Sequence, residues 1–147
     1  MSLFRPLISI LLVFISVLVV SCGDGSQAKA PTYSATQLTQ IQATNKNVSA
    51  LTDRLPELAA YIEERDWNNV KSFIHGPLGE IRTRMSGLSR ELLPGTKEQA
   101  LKISKEIFTH LNKIDEAAGS QDYKIAIRNY GEVLKDLAGF QKLIPAA

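Results

Sequence analysis

Catalysis by side chains alone needs a nucleophile with a base, a carboxylate pair in a cleft, or ligands that hold a metal. The raw material for any of these is scarce here, because the chain has one cysteine, Cys22, and two histidines, His75 and His110. His75 precedes Gly76-Pro77 and reads either as a ligand or base, or as a side chain capping the carbonyls that Pro77 frees in a helix. Glu106 and His110 stand one helical turn apart, which gives two potential metal ligands on one flank. A structural zinc wants four, so the pair reads as opportunistic metal binding or as a solvated polar face. Met85 and His110 are types that serve as axial haem ligands, but no Cys-x-x-Cys-His attachment sequence is present. Met85 lies mid-stripe in one helix while His110 points away from the apolar centre of another, so the two are not expected to converge. The expectation is no catalytic constellation and no cofactor, with His75, Glu106 and His110 as weak metal candidates.

Cys22 has a different chemistry available. Arg5 supplies a positive n-region, an apolar run from Leu7 to Val20 follows, and Val19-Val20-Ser21-Cys22 closes it as a lipobox. The run is about 14 residues, short of the roughly 20 that cross a bilayer as a helix, which favours an export signal over a permanent span. A thiol at the first mature position accepts diacylglyceryl, and each buried methylene contributes about 0.8 kcal/mol, so a triacylated cysteine anchors without a second signal. Residues 1–21 are therefore read as a lipoprotein signal peptide and Cys22 as the lipidation site. Residues 22–34, small and polar, read as a flexible tether. Residues 35–147 remain for the folded domain.

Charge excludes one class of partner. Setting Arg5 aside from the 17 basic side chains leaves 16 against 15 acidic ones, too even a balance for nucleic acid. Cys22 being the sole cysteine, the chain has no internal disulfide, and a domain of this size can rely on its own core.

The elements that position these residues are four amphipathic stripes with helical period. The first is Leu38, Ile41, Asn45, Val48, Thr52, Leu55, Ala59 and Ile62, with Pro56 expected to kink it about a turn upstream. Asp66 is a candidate N-cap for the second, Trp67, Val70, Ile74, Leu78, Ile81, Met85, Leu88 and Leu92. That stripe keeps phase across Gly76-Pro77-Leu78-Gly79, which predicts a local kink and not a loop. Leu93-Pro94-Gly95 stops it. Thr96 with Gln99 looks like a capping box opening the third helix, with Ala100, Ser104, Ile107, Phe108, Leu111, Ile114 and Ala118 inward and Gly119-Ser120 at its end. The fourth is Tyr123, Ala126, Ile127, Tyr130, Val133, Leu134, Leu137 and Phe140, stopping near Pro145. The aromatics Trp67, Phe108, Tyr123, Tyr130 and Phe140 read as core packing. Short connections between rods of this length force antiparallel neighbours, so the expected fold is all-α, an up-down-up-down antiparallel four-helix bundle.

From Ile81 onward the chain is mildly basic, with 11 basic and 8 acidic residues. Arg82 and Arg84 flank the second stripe, and Arg90, Lys97, Lys102 and Lys105 gather about the turn into the third helix. They form a candidate partner-docking face, the alternative being ordinary solvation with pairs such as Glu98 and Lys102.

Glu63-Glu64-Arg65-Asp66-Trp67, followed by Phe73-Ile74-His75-Gly76-Pro77-Leu78-Gly79, resembles the PsbQ-like extrinsic proteins of cyanobacterial photosystem II. Glu106 through Leu111, Asp115-Glu116-Ala117-Ala118, and Ala126 through Tyr130 with Leu134 are similar to that family's later helices. The lipobox at Cys22 matches its cyanobacterial branch. The resemblance covers essentially the whole mature domain, although none of its motifs is a chemical signature. It implies a non-catalytic extrinsic subunit, lipid-anchored at the lumenal side of the thylakoid membrane. Its partners would be the lumenal face of photosystem II, near the core antenna protein and the manganese-stabilising protein, with no nucleic acid. The implied role is support of the oxygen-evolving complex through calcium and chloride retention and assembly. The residues by themselves leave open a lipid-anchored periplasmic bundle that binds metal or haem, and a generic periplasmic adaptor.

Overall fold

The computed structural model describes residues 31–146, in which every regular element is an α-helix. Cys22, the lipobox and most of the expected tether lie outside the described residues. In chain order the helices are α1 Ala35–Thr52, α2 Leu55–Glu63, α3 Trp67–His75, α4 Ile81–Glu91, α5 Pro94–Ser120 and α6 Tyr123–Gln141.

Helix α1 opens on a full capping box: Gln37 N–H donates to Ser34 Oγ at 3.2 Å and Ser34 N–H to Gln37 Oε1 at 2.8 Å. Just before it, Tyr33 packs against the core and its hydroxyl accepts the Leu93 N–H at 3.0 Å, so the last residues of the expected tether belong to the folded unit. Pro56 breaks the first rod completely. The helix stops at Thr52 and restarts at Leu55, with Pro56 in the first turn of α2, where its missing N–H has no helical partner to lose. The buried seam Ile41, Val48, Leu55, Leu58 and Ile62 runs through the break without losing phase.

The second rod breaks too, which corrects the expected kink. Helix α3 ends at His75, residues 76–80 form turns, and α4 starts at Ile81. Close approach is the physical reason. A Cβ on Gly76 would lie 2.8 Å from the Ser72 carbonyl oxygen, and one on Gly79 2.6 Å from that of His75. Leu78 N–H reaches back to the Phe73 carbonyl at 3.1 Å, so the chain tightens around glycine before resuming its course. Ile74, Leu78 and Ile81 stay buried throughout, so the phase expected from the stripe holds although the helix does not.

Two turns share one construction. After α2, Arg65 adopts a left-handed φ of 55°, Asp66 N–H bonds the Tyr61 carbonyl at 2.9 Å, and the Asp66 carboxylate caps α3 at the Asn69 N–H. After α5, Gln121 adopts a φ of 57°, Asp122 N–H bonds the Ala117 carbonyl at 2.8 Å, and Asp122 caps α6 at the Ile125 N–H. Each is a Schellman stop that uses a residue with a side chain where glycine is usual. Helix α5 thus ends at Ser120, as Gly119-Ser120 predicts, with Gln121 as the left-handed residue of the stop. The Arg65 guanidinium lies 5.5 Å from the Tyr123 ring centroid, which places the two turns side by side.

Helix α5 also starts earlier than Thr96. Pro94 takes the first helical position, its fixed φ pre-organised for the turn, and Lys97 N–H bonds the Leu93 carbonyl at 2.7 Å, so Thr96 makes no cap. Helix α1 packs on α4, α2 on α3 and α6, α3 and α4 on α5, and α5 most extensively on α6. Between α4 and α5, Ser89 and Ser104 face each other in the core at 3.3 Å, each donating its hydroxyl to its own helix. Phe140, Leu58, Val70, Ile114 and Val133 are fully enclosed, whereas Leu134, read as core, is 45% exposed. It follows Val133 by about 100° around α6 and so turns out of the groove.

Candidate functional site

The six basic residues of the expected docking face come from α4 and α5, two helices in direct contact. Arg82 lies over Phe108, its guanidinium carbon 4.6 Å from the ring centroid. Phe108 is accordingly half-buried, with Arg82 over one ring face. Arg84 is held by Glu80 one turn earlier, Nη2 to Oε2 at 2.8 Å, which offsets its charge locally. Lys102 approaches Glu106 at 4.0 Å and not Glu98 as expected. The orientation is the less favourable of the two for an i,i+4 pair, and both side chains are well exposed. Arg82, Arg90, Lys97 and Lys105 make no ion pair among the described residues.

The histidines do not behave as the residues alone suggested. His75 caps no carbonyl; its Nε2 meets Asp115 Oδ1 at 2.9 Å, a pair exposed on the histidine side that links the end of α3 to α5. His110 is not on a solvated flank. Its Nδ1 lies 2.9 Å from Asn129 Oδ1 and its Nε2 3.7 Å from Asp136 Oδ2, both on α6. Asn129 is 3% exposed and anchored by its own Nδ2, which donates to the Ile125 carbonyl at 2.8 Å. Burial pushes the Asp136 carboxyl above its ordinary range; His110 and Lys135 oppose that rise, while Glu106 and Glu132 add to it.

Neither Asn129 nor Asp136 was legible as a functional candidate, yet a signal exists. They stand seven residues apart, three after Ala126 and Val133 respectively, and so lie in phase with the apolar stripe of α6. Polar residues in phase with a core stripe point to a buried partner on the facing helix, here His110. Glu106 joins this neighbourhood through its charge. Among the described residues no group of three or more His, Cys, Asp or Glu side chains is arranged to hold a metal ion. Met85 is enclosed in the core of α4.

Among the described residues the surface hollows hold no such metal-ligating group either. The one at the level of the two rod breaks is about 190 Å³ and is lined by Arg54, Glu57, Tyr61, Asn69, Ser72, Phe73 and Pro77, with Arg54 already paired to Glu57 at 2.8 Å. What the surface offers is therefore contact chemistry: exposed arginine and lysine on a rigid helical frame. The model of the PsbQ family, described as oxygen evolving enhancer protein 3, matches residues 5–145 of this sequence. The chain belongs to the PsbQ family. It is also 34% identical over 148 residues to CyanoQ of a Synechocystis species, an alignment that covers 100% of this chain and 99% of that protein. The PsbQ-family match takes in all six helices, including the break at Pro56, the glycine-tightened break at residues 76–80 and the His110 cluster. The family is one of structural, extrinsic photosystem II subunits of the oxygen-evolving complex.

Proposed function

We propose that this PsbQ-family chain is a non-catalytic extrinsic subunit of photosystem II, held at the lumenal face of the thylakoid membrane by lipid on Cys22. The family match over residues 5–145 carries this reading. The lipobox supports the anchor, and no helix among the described residues is long and apolar enough to cross a membrane. The packing of α1 with α4, α2 with α3 and α6, and α5 with α4 and α6 supports four rods in up-down-up-down order, two of them interrupted.

Such a rod bundle acts by occupancy. Seated over lumenal loops beside the core antenna protein and the manganese-stabilising protein, it slows exchange of calcium, chloride and water at the oxygen-evolving centre and steadies that centre during assembly. Arg82, Arg84, Arg90, Lys97, Lys102 and Lys105 supply its docking charge, with Arg82, Arg90, Lys97 and Lys105 the strongest contributors because they carry no intramolecular ion pair among the described residues. Steering of this kind weakens with salt. The lipid raises the local concentration of the bundle, so modest contacts suffice.

Purification of active photosystem II from thylakoids tests the proposal. The protein is expected in the oxygen-evolving fraction, and its deletion is expected to lower oxygen evolution most at low calcium or chloride. Its absence from active complexes would refute the assignment.

A further inference from the structure

We propose that His110 and Asp136 form a proton-binding clamp that draws α5 and α6 together as the surroundings acidify. The physiological trigger rests on the lumenal location proposed above; the clamp itself does not.

The geometry starts at Asn129. Its Nδ2 donates to the Ile125 carbonyl, so its Oδ1 is the atom that faces His110 Nδ1 at 2.9 Å. An amide oxygen only accepts, so Nδ1 carries the hydrogen and the tautomer is settled. A neutral ring then turns a lone pair at Nε2 toward Asp136 Oδ2, 3.7 Å away. That oxygen is buried and has no hydrogen-bond partner. A lone pair facing an unpartnered carboxylate oxygen is repulsive, and an orphaned buried acceptor is costly. One proton placed between them, on the ring or on the carboxyl, turns both faults into an Nε2–H···Oδ2 or Oδ2–H···Nε2 bond. The present separation is about 0.7 Å longer than an ordinary bond of about 3.0 Å, so the proton also supplies a pull between the helices.

The surroundings favour the protonated state. Burial acts first on Asp136, and the carboxylates of Glu106 from α5 and Glu132 from α6 reinforce it. His110 and Lys135 oppose, but Lys135 also reaches Glu132 at 3.4 Å. From α4, Arg82 reaches this stretch of α5 and is engaged over Phe108. From α2, the Leu55 carbonyl accepts the Tyr130 hydroxyl of α6, and the charged group near that hydroxyl is Glu63.

The sign is the same wherever the proton sits. The folded pair holds a proton more tightly than the same two groups in the unfolded chain. Its stabilisation is therefore fully present below the unfolded values and is lost as pH rises through the folded pair's apparent value. Oxidation of two waters to dioxygen releases four protons, so a subunit beside that reaction meets acid when the complex works. The clamp would make the bundle stiffest then.

The test uses the full chain in mild detergent, labelled with nitrogen-15. A His75→Gln background leaves one imidazole, whose two nitrogens report protonation and tautomer directly. The expected result is a ring protonated at Nδ1 throughout, and a pair whose proton affinity falls tenfold or more in Asp136→Asn. Amide-exchange protection in α5 and α6, corrected for intrinsic rates, is expected to fall as pH rises through the pair's apparent value, and to lose that dependence in His110→Gln. A ring titration unmoved by Asp136→Asn, or a pH dependence that survives His110→Gln, would overturn the clamp. These measurements need no photosystem II, so their failure leaves the proposed function standing, and failure to find the protein in photosystem II leaves the clamp standing.

Discussion

Replacing Gly79 by alanine puts the break in the second rod to a quantitative test. The added Cβ would lie 2.6 Å from the His75 carbonyl oxygen and 3.2 Å from that of Gly76. Carbon and carbonyl oxygen ordinarily approach to about 3.3 Å, so the overlap is close to 0.7 Å. Both oxygens belong to the backbone and cannot swing aside; the turn itself must open. Forcing a methyl group into a filled site costs about 1–3 kcal/mol, and the stiffer unfolded chain returns only about 0.4–1 kcal/mol. The net expectation is a loss of roughly 1–2 kcal/mol. Gly87 supplies the control, because it sits inside α4 with nothing within 4 Å of its Cβ position. Alanine there is expected to gain about 0.8–1 kcal/mol of helix propensity. The two variants should therefore differ by about 2–3 kcal/mol, near 10 °C in melting temperature for a domain of this size. Urea unfolding followed by circular dichroism measures both. A Gly79→Ala protein as stable as Gly87→Ala would show that the chain does not close on itself at residues 76–80.

At the other turns the sign reverses: Gln121→Gly should stabilise the fold by about 0.5–1 kcal/mol by relieving the left-handed φ of 57°, read in the same unfolding assay. Ser34→Ala removes one half of the capping box of α1 and should cost about 1 kcal/mol, with helicity lost first at that end by amide exchange. Cys22→Ser should leave the helical spectrum unchanged and lower the amount of protein retained on washed photosystem II membranes; undiminished retention would mean that the protein interface alone holds it. Reversal of Arg82, Arg84 and Lys97 to Glu should weaken a salt-sensitive association with the complex. Arg82→Glu alone is also expected to lose about 0.5–1 kcal/mol of stability from its contact with Phe108, which separates the two roles of that residue.

Periodicity alone determined that the described chain is helical, which stripes turn inward, though not that Leu134 turns out and Asn129 in, and that the inward faces of the first two rods stay in phase from one end to the other. This follows because burial depends on angular position around an axis, and a 3.6-residue repeat survives a short interruption that preserves the angle. Ile41 through Ile62 and Val70 through Leu92 show it, each crossing a break with the core face intact. The lipid anchor proposed at Cys22 is read from linear order alone. How the first two rods break is decided by contacts that linear order does not display. Gly76 and Gly79 matter for the backbone oxygens a Cβ would meet, and Arg65 and Gln121 adopt left-handed conformations that their types do not favour, because capping aspartates and packed neighbours hold them there. The same holds for His110. Beside Glu106 in the sequence it reads as a weak metal candidate or a solvated polar face, whereas only the register of α5 against α6 brings it to Asn129 and Asp136, 19 and 26 residues further along the chain. A side chain's chemistry is set by what faces it, and facing partners on different helices exist only once the helices have packed.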